Sequence, residues 1–151
     1  MIQRIQSLYL LLGAAALAVL VFGLRATWQV PAAAAQSWYV PAVTGLGSLT
    51  ALAALAAIFL NKDRRFPNRM LPGLRLQRRV VVGVQVLAVV FLLVFFVGFY
   101  LAQALPRLTD AGGILALGLP VLAYVGFYLA RRGIDRDIRE LEKAEQFRLR
   151  D

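Results

Sequence analysis

At 151 residues the chain has the length of one soluble domain, but 60% hydrophobic residues and a mean hydropathy of +0.69 leave too little polar side chain to cover such a globule. There is no Cys, which removes disulfides, thiolate catalysis and thiolate metal sites, and no His, which removes the commonest metal ligand and the usual neutral-pH acid–base group. A formal charge of +9 would suggest nucleic acid if it formed a stripe on a soluble fold, yet it is gathered in blocks: seven of the 17 Lys and Arg fall in 62–79 and seven in 131–150.

Residues 5–24, 26–61, 80–106 and 111–130 contain no Asp, Glu, Lys or Arg. A hydrocarbon core about 30 Å thick needs roughly 20 apolar residues at about 1.5 Å each, so each window can hold one crossing. The chain therefore reads as an all-α integral membrane protein with four transmembrane helices at about 5–24, 41–60, 80–105 and 114–130. These form a domain over 1–130, followed by a charged cytoplasmic helical tail over 131–151. Only Arg25 and Arg107 lie on the side opposite the two basic blocks and Arg4, so the positive-inside rule puts both ends and the middle loop in the cytoplasm.

Taken in order, the first helix carries Gly13-Ala14-Ala15-Ala16 at its centre, where small side chains let a neighbour approach. Its apolar run exceeds the roughly 7–15 residues of a signal-peptide core, so it reads as a retained span. Trp28, Trp38 and Tyr39 suit the headgroup level, and the 25–40 loop is expected to lie along the outer surface. Pro41 fits the first turn of the second helix, whose Gly47, Thr50, Ala51 and Ala54 make a close-packing face. Pro67, Pro72 and Gly73 predict that 61–79 is irregular or at most a short interfacial helix. The third helix, with Phe91, Phe95, Phe96 and Phe99, is expected to face lipid over much of its circumference. A tight turn follows at 106–113, with Thr109 and Asp110 as turn or cap residues, and the fourth helix should kink at Pro120. Beyond it Ile134, Ile138 and Leu141 share one narrow face of a solvated helix, supported by pairing of Asp135 with Arg139, Glu140 with Lys143 and Glu145 with Arg148.

The opening Met1-Ile2-Gln3-Arg4-Ile5-Gln6-Ser7-Leu8-Tyr9-Leu10-Leu11-Leu12 and the closing Arg131-Arg132-Gly133-Ile134-Asp135-Arg136-Asp137, with the later Arg148-Leu149-Arg150, carry a resemblance. The chain resembles the four-helix membrane family of Bacteroidota catalogued as domain of unknown function 4293. That resemblance implies a bacterial inner-membrane protein with both ends cytoplasmic, and it brings no catalytic residue.

Chemistry is thinly supplied. Outside the tail the only acids are Asp63 and Asp110, on opposite predicted faces, so no paired-carboxylate site can be assembled from them. The spans also lack the intramembrane ionisable group that marks an ion pathway. Gln85 and Gln103 lie near the ends of the third helix and suit headgroup or interhelical hydrogen bonds, while Gln3 and Gln6 cap or anchor the first. The expectation is a protein that is not an enzyme and takes no cofactor or metal.

Two surfaces remain. Lys62, Arg64, Arg65, Arg69, Arg75, Arg78 and Arg79 are candidate contacts for anionic lipid or phosphate, each contributing about 1 kcal/mol beside an anionic leaflet. Ile134, Ile138 and Leu141 form a candidate stripe for another membrane or cytoplasmic protein. Nucleic acid is disfavoured, because seven positive and six negative side chains in 131–151 leave the tail almost neutral. The favoured function is a non-catalytic scaffold or accessory subunit with a basic cytoplasmic face. The alternative is a binder or carrier of a lipid or other neutral small molecule, held beside Pro120 and the small-residue face of the second helix.

Overall fold

The computed structural model of the chain describes residues 2–29, 36–60, 70–103 and 110–148. Helix α1 (Ile2–Ala18) runs into a wider π turn (Val19–Gly23) and a single turn α2 (Arg25–Trp28), followed by α3 (Tyr39–Phe59), α4 (Met70–Ala102) and α5 (Ala111–Arg148). Four stretches within these helices are long and apolar enough to cross a membrane: Ile5–Gly23, Tyr39–Phe59, Gly73–Ala102 and Ala111–Ala144. Each of the four long helices packs on two others, in the ring order α1, α3, α4, α5. Residue pairs show the alternating direction. Gln6 meets Asp137 while Gly13 meets Phe127, and Gly47 meets Phe91 while Gly98 meets Tyr39.

Glycines set how closely the helices approach. A Cβ on Gly47 would lie 2.6 Å from Val21 Cγ2 and 3.0 Å from the Phe91 ring, and one on Gly13 would lie 2.5 Å from the Phe127 ring. At Gly98 it would collide with the Tyr39 ring. The close-packing face read for the second helix is real at Gly47, Thr50 and Ala54, all buried, with Ala51 partly so. Burial of Thr50 is tolerated because its hydroxyl donates to the Leu46 carbonyl at 2.7 Å. At Gly47 this face is filled from within the chain by Val21 and Phe91.

α4 is exposed over much of its circumference, but three of its four phenylalanines point into the bundle. Phe91, Phe95 and Phe99 are buried and only Phe96 is exposed. Four-residue spacing puts the three rings on one helix face, where Phe95 meets Phe91 at 5.7 Å and Phe99 edge-on at 5.0 Å between centroids. The outward face of α4 is supplied by Val86, Leu93, Val97 and Tyr100.

Trp28, Trp38 and Tyr39 do not share one environment. Trp28 and Tyr39 are fully buried and close one end of the bundle, whereas Trp38 is 43% exposed. Two hydrogen bonds make this burial possible: the Trp28 indole donates to the Leu20 carbonyl at 2.8 Å, and the Tyr39 hydroxyl donates to the Phe95 carbonyl at 3.3 Å. Leu20 lies in the π turn, whose wide loop is closed by Leu24 N–H donating to Val19 O at 2.9 Å.

Helix boundaries moved in two places. α4 starts at Met70 rather than near 80, so Pro72 sits in a first turn where its missing N–H leaves no bond unmade. α5 passes through the buried Pro120 and past residue 130 without a break, continuous with the expected tail helix. Asp110 stands just before α5, its carbonyl accepting from Gly113 N–H and Ile114 N–H. At the other terminus of that connection Gln103 adopts φ 48, the left-handed conformation that commonly ends a helix.

Candidate functional site

Helix length creates the site. At about 1.5 Å per residue, α4 is about 50 Å long and α5 about 57 Å, well beyond a hydrocarbon core of about 30 Å. α1 with its π turn and α3 are much closer to that thickness. The first turns of α4 and the last turns of α5 therefore run together past the apolar part of the bundle, and this is where the basic residues collect.

Along that seam Arg75 Nη2 meets Glu142 Oε1 at 3.0 Å, and Arg78 Nε meets Asp135 Oδ1 at 2.5 Å. Asp135 also accepts a looser approach from Arg131 Nε at 3.7 Å, one helical turn away. Exposed ion pairs of this kind contribute ~0–1 kcal/mol each, so they orient the guanidiniums more than they hold the helices together. A pocket of about 450 Å³ opens here, lined by Arg75, Arg78, Arg79 and Arg139 with Asp135, Glu142 and Ile138. Four guanidiniums face two carboxylates. Among the described residues Arg139 donates only to the backbone carbonyl of Asp135, at 3.1 Å, and Arg79 has no ion-pair partner. The unneutralised charge thus resides on Arg79 and Arg139.

Of the seven basic positions selected from sequence, Arg75, Arg78 and Arg79 come together in this pocket. Lys62, Arg64, Arg65 and Arg69 lie outside the described residues. Arg139 was missed because its helix looked charge-balanced; α4 reveals its role only by passing alongside.

The proposed partner stripe is corrected. Ile134 is fully buried, Ile138 is 9% exposed, and Leu141 packs against the same core. The stripe is covered by the chain's own helices, because α1 and α4 extend far enough to meet it. Burying such a side chain contributes ~1.5–3 kcal/mol, which outweighs the ion pairs beside it.

Three glutamines were not anticipated as a group. Gln6, Gln77 and Gln85 are all buried. Gln6 Nε2 donates to Asp137 Oδ2 at 2.7 Å, Gln77 Nε2 to the Ala57 carbonyl at 3.2 Å, and Gln85 Oε1 accepts from Arg131 Nη1 at 3.1 Å. Each ties two helices together just inside the basic end.

The contact between Gln6 and Asp137 also joins the opening and closing segments that carry the family resemblance. A sequence model of the family described as Domain of unknown function (DUF4293) matches residues 2–145. The chain belongs to that family. Comparison with curated proteins and with solved structures returns no match. The DUF4293 match spans all four long helices, including the pocket residues of α4 and α5.

Proposed function

We propose that this DUF4293 protein is a non-catalytic scaffold or accessory subunit of the bacterial inner membrane, held with its basic end at the cytoplasmic leaflet and engaging anionic lipid headgroups there. The observation that carries this reading is the convergence of Arg75, Arg78, Arg79 and Arg139 on one pocket where α4 and α5 leave the apolar bundle. An ester-linked phosphate is the group such a site suits, since guanidinium pairs bind its oxygens bidentately. Each basic side chain near an anionic leaflet adds about 1 kcal/mol, so a cluster of this size gives a firm and oriented attachment. Burial of the Ile134, Ile138 and Leu141 stripe moves any protein partner to other surfaces of the basic end.

The test is extraction of the full-length protein in a mild neutral detergent, followed by quantification of retained lipid and protein. Anionic lipid should be enriched over its proportion in the membrane, and replacing all four pocket arginines by Gln should remove the enrichment. Retained lipid that mirrors the bulk membrane, unchanged by the substitutions, would sink the proposal.

A further inference from the structure

Arg79 and Arg139 leave the pocket with two positive charges that its own carboxylates do not answer; two turns along the Arg139 face stands the exposed Arg132, and beyond it the helices turn apolar. Helical spacing places Val86 and Leu93 in line beneath Arg79 on α4, and Tyr128, Val125 and Val121 in line beneath Arg139 on α5. All five are exposed, between 43% and 60%. The pocket is therefore a charged head site standing at the top of two apolar tracks. Its volume of about 450 Å³ accommodates more than one phosphate group.

Resting on the headgroup reading above, we infer that the pocket selects phospholipids whose head carries two negative charges, with the acyl chains lying along the exposed faces of α4 and α5. Charge count is what discriminates. Arg75 and Arg78 are already paired with Glu142 and Asp135, so a monoanionic head neutralises only one of the two remaining guanidiniums. A dianionic head, either one phosphomonoester or two bridged phosphodiesters, answers both. Free phosphate supplies the same charge without the apolar tracks.

The experiment is native mass spectrometry of the full-length protein in neutral detergent. It is titrated in turn with phosphatidic acid, cardiolipin, phosphatidylglycerol and phosphatidylcholine of matched chains, and with glycerol phosphate. One further charge at about 1 kcal/mol corresponds to about fivefold in affinity. Cardiolipin and phosphatidic acid should thus bind about fivefold more tightly than phosphatidylglycerol. The doubly substituted Arg79→Gln/Arg139→Gln protein should lose that preference, while Arg25→Gln, at the opposite end, should keep it. Both residues are exposed, so an unchanged melting temperature without lipid will show that the variant is folded. Equal binding of phosphatidylglycerol and the dianionic lipids would overturn this inference and leave the anionic-lipid reading standing. Equal binding of phosphatidylcholine would overturn both. Glycerol phosphate competing as strongly as the lipids would remove the acyl tracks from the site.

Discussion

Gln6 and Asp137, 131 positions apart in sequence, share a 2.7 Å hydrogen bond inside the basic end of the bundle. Both side chains are more than nine-tenths buried. Removing one partner of a buried polar pair strands the other, at about 1–3 kcal/mol or more when it is charged, whereas replacing both with apolar groups is close to neutral. Gln6→Leu alone should therefore lower the melting temperature clearly, and adding Asp137→Leu should restore part of the loss. Thermal unfolding in detergent of the single and double variants measures this. A double variant less stable than Gln6→Leu would show that the two residues do not act as a pair.

Two glycines on different faces should respond in opposite directions to the same change. A methyl group on Gly98 meets the Tyr39 ring, while on Gly45 it meets open space. Overpacking of this kind costs roughly 1–3 kcal/mol, but Ala at an open helical position gains up to about 1 kcal/mol over Gly. Gly98→Ala should lower the melting temperature and Gly45→Ala should leave it unchanged or raise it slightly. Equal losses would mean that α3 and α4 are not packed as closely as the ring contact implies.

The two tryptophans are separable by fluorescence. Trp28 is buried and its indole N–H is satisfied by the Leu20 carbonyl, while Trp38 is 43% exposed. A protein carrying only Trp28 should emit at shorter wavelength and resist acrylamide, and one carrying only Trp38 should be quenched readily. Trp28→Phe should also lose roughly 1–3 kcal/mol, because the Leu20 carbonyl of the π turn is left without its partner. Similar quenching of both would contradict the closed aromatic end.

What could be read from sequence differs element by element, for physical reasons. Uninterrupted uncharged windows marked the four long apolar helices, and the small residues of α3 marked a true contact face. α4 is itself apolar nearly all round beyond residue 80, so no period separates an inward Phe95 from an outward Phe96. The stripe at Ile134, Ile138 and Leu141 correctly signalled a contact, but periodicity cannot say which surface covers it. Pro72 and Gly73 read as breakers because their weight depends on position. Three residues into a helix, a proline breaks no bond. The pocket lay half hidden for a related reason: Arg75, Arg78 and Arg79 were visible as a block, but Arg139 joins them only through the antiparallel run of α4 against α5.

The remaining prediction is the orientation on which the lipid reading depends. Arg75, Arg78, Arg79, Arg131, Arg132, Arg136 and Arg139 all belong to the adjoining ends of α4 and α5, while Arg25 lies beside the buried Trp28 at the far end. Basic residues flanking apolar helices are retained in the cytoplasm, and the anionic lipids of that leaflet attract them. A reporter fused after residue 68 should therefore fluoresce as a fluorescent protein and be inactive as alkaline phosphatase, and a sandwich fusion after residue 33 should give the reverse. Both sites lie outside the described residues. Phosphatase activity at 68 together with fluorescence at 33 would invert the molecule. The arginine pocket would then face the opposite leaflet, the inner-leaflet proposal would fail whatever the lipid titrations gave, and the charge asymmetry would need an explanation other than orientation.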